Sequence, residues 1–218
     1  MPAKAPAGER AEGLRERKKR QTRQALSQAT IALAVRRGWS NVRIEDIAAA
    51  VNVSERTFRN YFSGKAEAVA ATHLDRMTRV ARLVGEQPAT VPLWEVIGTA
   101  LQVEFAPEDS TEHQSATPRE QHRQAVWEVL AEPAVQAEVM RADQMAMGVL
   151  AEAIGARTGT DPEADLYPKL VAAAVGAVVG TALTHWLRAD PPVPLAPLLT
   201  EALERLTAGL PAPAANPL

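Results

Sequence analysis

The sequence predicts an all-α protein of about nine helices, built as a small three-helix head joined to a larger helical body. Apolar residues recur at the three- to four-residue spacing of an amphipathic helix through most of the chain. Prolines divide the second half into segments, since proline is tolerated only in the first turn of a helix. No stretch alternates every two residues with β-branched enrichment, so we expect no sheet.

The head is predicted to hold three helices that lead into a fourth. The first helix stops at Gly38, and a short second helix covers 44–51. The third covers 54–62, because Ser54 is a good N-cap and the Ser-Gly pair that follows is a good terminator. The fourth helix is predicted over 65–84. In the body, further helical segments fall near 92–106, 118–131, 134–157, 162–188 and 195–208, with an acidic polar loop over 107–117.

Charge is distributed unevenly along the chain. Residues 1–65 carry 14 Lys and Arg against 6 Asp and Glu, a net charge of +8, whereas residues 66–218 carry 10 against 20, a net charge of −10. This asymmetry is typical of a polyanion-binding module joined to a part that avoids the polyanion. A basic tail that is merely solvated is the alternative.

Several classes of function and location are disfavoured by the composition. The chain has no cysteine, and its four histidines show no metal-ligand spacing, so we predict no metal site and no cofactor. An enzyme is disfavoured because there is no glycine-rich phosphate loop and no G-x-S-x-G nucleophile motif. The N-terminus lacks the apolar core of a signal peptide. The membrane-length run over 170–187 is rich in Ala and Gly and contains polar residues, so we expect a cytoplasmic protein with no membrane span.

Two short helices joined by a tight turn over 44–62 have the dimensions of a helix-turn-helix unit. Ile47, Ala48, Val53 and Phe58 supply the apolar residues where the helices would cross. Asn52 suits the turn, because asparagine enters the left-handed backbone conformation more readily than most residues. An ordinary helical hairpin with solvated charges is the alternative interpretation.

The run IEDIAAAVNVSERTFRNYFSGKAEAV resembles the signature of tetracycline-repressor-like (TetR family) regulators. The resemblance covers about Gln21 to Val69. It implies a DNA-binding helix-turn-helix head and a helical body that binds ligand and dimerises. It also implies a transcriptional regulator, typically a repressor that a small effector releases from a palindromic operator on double-stranded DNA. The domains expected from this are a basic, disordered arm over 1–20, the DNA-binding domain over 21–66, the body over 67–210 and a frayed tail over 211–218.

The resemblance also implies which residues touch DNA. Ser54 and Thr57 match positions that contact phosphates or base edges, Tyr61 and Lys65 match phosphate contacts, and Arg56 and Asn60 stand at variable positions suited to guanine and adenine. Three residues depart from the pattern: Arg43 replaces a hydroxyl cap, Asn52 replaces a glycine, and Arg59 replaces an aromatic residue, so Arg59 could read either bases or phosphates. The predicted DNA-binding residues are Arg43, Ser54, Glu55, Arg56, Thr57, Arg59, Asn60, Tyr61 and Lys65.

Residues 15–23 contain six basic side chains. They are either a solvated tail or an arm that follows the phosphates or enters the minor groove beside the head.

The body is predicted to sense a ligand and to form a homodimer. A head this small reads few base pairs, so two heads about one DNA turn apart are expected. Small residues on 162–188 suit a close helix contact between copies, although a helix buried within one subunit is the alternative; the interface candidates are Ala173, Gly176, Ala177, Gly180 and Thr184.

Aromatic, methionine and polar residues could line a cavity for a small hydrophobic effector or simply pack in the core; the candidates are Trp94, Phe105, Trp127, Met140, Gln144, Met147, His185 and Trp186. A DNA-binding regulator that is controlled by a protein partner, with no small ligand, is the remaining alternative.

Overall fold

The structure, a computed structural model, describes residues 7–105, 116–191 and 193–211, without the side chains of 7–12, 14 and 116–120. These residues form nine α-helices, one short 3₁₀ turn and no strand, as the sequence predicts. In chain order they are α1 (Ala7–Arg37), the 3₁₀ turn (Trp39–Asn41), α2 (Ile44–Ala50), α3 (Glu55–Arg59), α4 (Lys65–Glu86), α5 (Leu93–Phe105), α6 (Ala116–Ala131), α7 (Pro133–Thr158), α8 (Leu166–Arg188) and α9 (Leu195–Thr207).

The N-terminal segment differs from the disordered arm that the sequence predicts over 1–20. Helix α1 begins at Ala7, so residues 7–20 are helical. The physical reason is that Arg, Lys, Gln and Glu are good helix formers, and a helix nucleated in the apolar segment from Leu26 extends through them one residue at a time. The rest of the predicted arm, most of the predicted acidic loop and nearly all of the predicted tail lie outside the described residues.

The chain divides into two compact units. The head unit comprises Met1–Thr72 and Glu128–Val139, and the body unit comprises His73–Trp127 and Met140–Leu218. The sequence places a single boundary at 66/67. The head unit instead includes the first two turns of α4 and the corner where α6 meets α7, because both are part of its apolar core.

Two apolar clusters hold the head unit together. The first fills the space between α1, α2, α3 and the start of α4; its buried members are Leu26, Leu33, Val42, Ile47, Phe58, Phe62, Ala68 and Ala71. The second joins the α6–α7 corner to α1 and α4; its buried members are Ala34, Val69, Val129 and Val135. The buried hydroxyl of Ser27 adds a polar tie between α1 and α4, since it donates to the carbonyl of Ala68 and lies 2.8 Å from the hydroxyl of Thr72.

The body unit has one larger core, which is almost entirely aliphatic. Its fully buried side chains come from α4, α5, α7, α8 and α9 and include Met77, Val80, Ile97, Leu150, Ile154, Val175 and Leu199. Among the described residues, α8 is the one helix long and apolar enough to cross a membrane. This is weak evidence for a span, because core helices satisfy the same criterion, and one face of α8 packs in this core.

Candidate nucleic-acid interface

Helices α2 and α3 form the helix-turn-helix that the sequence predicts. Ile47 and Phe58 are fully buried where the two helices cross, and Ala48 is 2% exposed. Asn52 adopts the left-handed conformation with φ 56°, which confirms its predicted role in the turn. The N–H of Val53 donates to the carbonyl of Ala48 at 3.0 Å and closes the turn. Helix α3 is shorter than predicted and ends at Arg59, with Asn60 as its C-cap.

Ser54 and Thr57 form a hydrogen-bonded pair at the start of α3. The hydroxyl of Ser54 accepts from the N–H of Thr57 at 3.1 Å, as an N-cap does, and lies 2.9 Å from the hydroxyl of Thr57. Each hydroxyl carries one proton, and the bond between them uses one of the two. The pair therefore has one O–H left to donate to an external acceptor such as a phosphate oxygen.

The side chains that follow on α3 point outward. Arg56, Arg59 and Asn60 are exposed, whereas Thr57 and Tyr61 are half-buried. A guanidinium nitrogen of Arg59 lies 3.8 Å from a carboxylate oxygen of Glu55, and both side chains remain exposed. Such a pair holds its partners weakly. The exposed face of α3 thus presents two guanidinium groups and a side-chain amide.

The start of α2 is capped in a way that the sequence pattern does not predict. Arg43 stands at the N-cap without a hydroxyl, and the carboxylate of Asp46 accepts from the Arg43 N–H at 2.9 Å instead. Asp46 also accepts from the guanidinium of Arg37 at 3.2 Å. The hydrogen bond from the Arg43 N–H, with the positive charges of Arg37 and Arg43, lowers the pKa of Asp46. The Arg43 side chain is exposed and is not needed for the cap.

Lys65, predicted to contact a phosphate, makes contacts within the head unit. Its ammonium donates to the carbonyls of Trp39 at 2.5 Å and Val42 at 2.9 Å, and lies 4.2 Å from the centre of the Trp39 ring. Burial lowers the pKa of Lys65, and the negative charge of Glu132 acts in the opposite direction. The side chain therefore ties the start of α4 to the turn between α1 and α2. The sequence could not reveal this, because it depends on how the 3₁₀ turn meets α4.

The eight predicted pocket residues differ widely in exposure. Phe105 is buried at 4% exposure, and Trp94 and Met147 pack against the same core. Met140 is 67% exposed, and Gln144 and His185 are exposed as well, so these three do not line an interior cavity of the body unit. The pattern of Met and aromatic residues is a poor guide here, because it does not separate the buried face of α7 from its outer face.

Two arginines join α6 to the end of α8, and each contacts one of the predicted pocket tryptophans. The guanidinium of Arg188 lies 4.3 Å from the centre of the Trp127 ring. Arg123 donates to the carbonyls of Trp186 at 3.0 Å and Ala189 at 3.2 Å, where the helix leaves its last carbonyls unsatisfied. These contacts fix α6 to the end of α8.

The predicted dimer residues follow one stripe of α8, with Gly176 at the edge of the stripe that packs against α7. Ala173, Ala177, Gly180 and Thr184 are exposed and share one face. Gly176 belongs to the internal contact with α7, because a Cβ placed on it would lie 2.8 Å from the sulfur of Met147. Gly176 is half-buried, and its assignment to the interface stays a prediction.

Comparisons with known proteins agree with this architecture. Residues 26–72 match the family model described as bacterial regulatory proteins, tetR family, and residues 91–211 match the MftR C-terminal domain. The fold is similar to that of Thermus thermophilus FadR, a TetR family transcriptional repressor crystallised with lauroyl-CoA, with a TM-score of 0.50, 21% identity and coverage of 89% of this chain and all of that one.

Two relatives share much of the sequence. The HTH-type transcriptional regulator TcmR of Streptomyces glaucescens is 31% identical over 188 residues, which cover 82% of this chain and 79% of that protein. MftR of Mycobacterium tuberculosis, named for the regulation of mycofactocin biosynthesis, is 27% identical over 194 residues, which cover 89% and 93%. The two matched domains together span most of the chain, and families of this kind regulate transcription rather than catalyse reactions. The chain belongs to the TetR family and is a DNA-binding transcriptional regulator.

Proposed function

We propose that this protein is a homodimeric repressor that binds a palindromic operator and leaves it when a small apolar effector enters the body unit. The observation that carries the proposal is the exposed face of α3, where Arg56, Arg59 and Asn60 project from a helix held in place by the buried Phe58. We place the protein in the cytoplasm, where its DNA target is accessible, and the DNA-binding domain at about 21–66.

In this proposal each residue of the interface has a distinct task. Arg56 reads guanine and Asn60 reads adenine, because their side chains match the donors and acceptors of those bases in the major groove. Tyr61 and the hydroxyl pair of Ser54 and Thr57 hold phosphates. Arg43 supplies a guanidinium in place of the usual hydroxyl contact. Glu55 pairs only weakly with Arg59, so the guanidinium of Arg59 can turn towards the DNA.

At the start of α4, we assign the phosphate contact to the backbone N–H of Lys65 rather than to its ammonium. The first N–H groups of a helix have no acceptor within the helix, and the helix dipole favours an anion there. The ammonium is already used by the carbonyls of Trp39 and Val42.

The exposed face of α8 supports dimerisation. Ala173, Ala177 and Gly180 allow the backbone of a second helix to approach closely, and apart from the adjoining backbone of α8 no atom lies within 4 Å of where a Cβ on Gly180 would stand. Near the start of the helix, Leu166 and Leu170 extend the face and are 75% and 59% exposed. A contiguous apolar surface of this kind is typical of an interaction site. A symmetric pair of copies would place two heads on the two halves of a palindrome.

The aliphatic core of the body unit favours an apolar effector. Thermus thermophilus FadR, which has a similar fold, is crystallised with lauroyl-CoA. We propose an effector of the same broad class, a molecule with an apolar chain, since the core side chains that α5, α7 and α8 contribute to the body unit are mostly Val, Leu, Ile and Ala. A ligand that binds the released state better would weaken operator binding by a coupling of about 1–3 kcal/mol.

Selection from random duplex DNA tests the proposal. The protein should enrich a palindrome whose half-sites have centres about one helical turn apart. Arg56→Ala should lose the preference at one base pair of each half-site, whereas Thr99→Ala, on the exposed side of α5, should enrich the same site as the wild type. Failure of the wild type to enrich any palindrome would contradict the proposal.

Release by effectors is tested on the selected operator. Acyl-chain ligands of increasing length, free and as thioesters, should displace the protein from labelled DNA, while short polar acids should not. A repressor that no apolar ligand releases, but that a cell protein displaces, would support the alternative in which a partner protein controls the regulator.

A further inference from the structure

The basic half of α1 is a continuous helix that carries clustered positive charge. Arg15, Arg17, Lys18, Lys19 and Arg20 are all exposed on it. Among the side chains that the structure describes, no carboxylate forms an ion pair with any of the five. Five cations on two turns of helix repel one another, so their clustering favours a polyanionic partner.

A contact just after this segment places its end beside α3. The guanidinium of Arg23 lies 5.2 Å from the centre of the Phe62 ring, and Phe62 follows the recognition helix α3 directly in sequence. The same ring packs against Phe58 of α3 at a centroid distance of 5.6 Å. The basic segment therefore starts beside the end of the DNA-reading helix.

From that point the helix continues away from Arg23. Eight residues separate Arg15 from Arg23, which is about 12 Å of helix. This is the length of about three to four base pairs along a duplex, since double-stranded DNA carries one charge per roughly 1.7 Å of its axis. The segment is long enough to meet several phosphates outside the base pairs that α3 reads.

The helical form decides which part of the duplex can be reached. An α-helix with its side chains is about 10–12 Å wide, whereas the minor groove is about 6 Å wide. The segment therefore cannot enter the minor groove as an extended arm would. We propose that residues 15–20 form a second DNA-binding element, a basic helix that lies against the phosphate backbone flanking each half-site.

This inference rests on the proposed operator binding and adds a contact that carries no sequence information. Phosphate contacts position a protein and strengthen its binding, but they do not distinguish bases. We therefore expect neutralisation of the basic helix to weaken binding to operator and to random DNA by the same factor. The same change should leave the selected palindrome unaltered.

The experiment compares two triple variants with the same loss of charge. Arg17→Gln/Lys18→Gln/Arg20→Gln removes three of the five positive charges of the basic helix, and Gln keeps its helix propensity. Arg82→Gln/Lys169→Gln/Arg205→Gln removes the same number and kinds of charge from exposed positions of the body unit. Binding to the selected operator is measured over a range of salt concentrations, on duplexes with long flanks and on duplexes trimmed to the palindrome.

The basic-helix variant should lower the slope of log affinity against log salt by about 1 for each phosphate that is no longer neutralised, hence by up to about 3 in each protomer. The wild type should bind the trimmed duplex more weakly than the long one, and the variant should bind both alike. The body variant should behave as the wild type, and Arg17→Lys/Arg20→Lys should restore the slope. Circular dichroism should show equal helix content in all four proteins.

Two results would overturn this inference alone, and a third would overturn operator binding as well. If the wild type binds the operator and the basic-helix variant shows the same slope and the same dependence on flank length, residues 15–20 are a solvated helix and operator binding stands without them. If the body variant lowers the slope as much, the effect is one of net charge. A wild type that binds no duplex would refute operator binding itself, and this inference with it.

Discussion

The head and body units differ in what they leave exposed to solvent. In the described part of the chain, every large apolar side chain that is exposed belongs to the body unit; these are Val103, Met140, Met145, Val149, Leu166, Tyr167, Leu170 and Leu210. The head unit instead exposes guanidinium and amide groups on α3 and ammonium and guanidinium groups on α1. A charged surface suits a polyanion, whereas an apolar surface suits association with another apolar surface.

The difference extends to how each unit is held together. The head unit relies on a few aromatic and aliphatic residues in two small clusters, supplemented by polar ties from Ser27, Asp46 and Lys65. The body unit relies on one broad aliphatic core. Small structures with limited apolar burial depend more heavily on each individual contact. The head should therefore be the unit in which single substitutions have the clearest local effects.

The largest effect is expected from opening each core in turn. Phe58→Ala removes a fully buried ring from the head, at a cost of about 3–5 kcal/mol, and Leu150→Ala removes a fully buried side chain from the body, at about 2–5 kcal/mol. Hydrogen exchange measured by mass spectrometry should show faster exchange in 26–62 for the first variant and in α7 to α9 for the second. Equal increases across the whole chain in both variants would mean that the units do not unfold separately.

Dimerisation should depend on the exposed apolar face of α8 and not on other exposed surfaces of the body unit. Ala177→Arg places a charge on that face and should convert the proposed dimer to a monomer, as measured by sedimentation. Operator affinity should fall because two half-sites are then bound independently. Thr99→Arg puts the same side chain on the exposed side of α5 and should stay dimeric. A dimeric Ala177→Arg variant would place the interface elsewhere.

The sequence predicts the head better than the body, and the reason lies in the range of the interactions. The turn at Asn52 and the cap at Ser54 depend on neighbours within about ten residues, and Phe58 lies on the apolar stripe of its own helix, so the spacing alone reveals them. The contacts of Gly176 and the exposure of Met140 depend on which sides of α7 and α8 face each other. The hydrogen bonds of Lys65 depend on a segment of the chain 23 residues earlier. Helical periodicity locates a buried stripe but does not say what covers the other faces.

Lys65 tests whether a cation in the head binds DNA or holds the unit together. Lys65→Met removes an ammonium from two carbonyls, and hydrogen bonds to charged groups contribute about 1.5–3 kcal/mol each. Urea denaturation should show this loss, while the salt slope of operator binding should stay that of the wild type. A slope lower by about 1 in each protomer would instead assign the ammonium to a phosphate. Arg56→Ala is the matched opposite: it should weaken binding and leave stability unchanged.

Ser54 tests the same distinction at a single residue. Ser54→Ala loses the cap of α3 and should cost about 1 kcal/mol, whereas Ser54→Asp keeps a good cap and should keep the stability of the wild type. Aspartate nevertheless adds a negative charge where a phosphate is expected, so Ser54→Asp should bind the operator far more weakly. Binding titrations and denaturation of the same samples separate the two roles. If Ser54→Asp binds like the wild type, Ser54 does not face the DNA backbone.

The smallest effect is expected from Asp46, and it depends on pH. Its hydrogen bond from the Arg43 N–H lowers its pKa below the usual 3.8, so near that pH the unfolded chain binds the proton more readily than the folded one. The stabilisation is therefore complete above the unfolded pKa and is lost as the pH falls through the folded value. Asp46→Asn should be less stable than the wild type near neutral pH and equal to it in acid.

Urea midpoints at several pH values measure the difference, and Glu45→Gln, at the exposed neighbouring position, should follow the wild type throughout. A difference between Asp46→Asn and the wild type that persists unchanged in acid would mean that the carboxylate charge does not provide the cap.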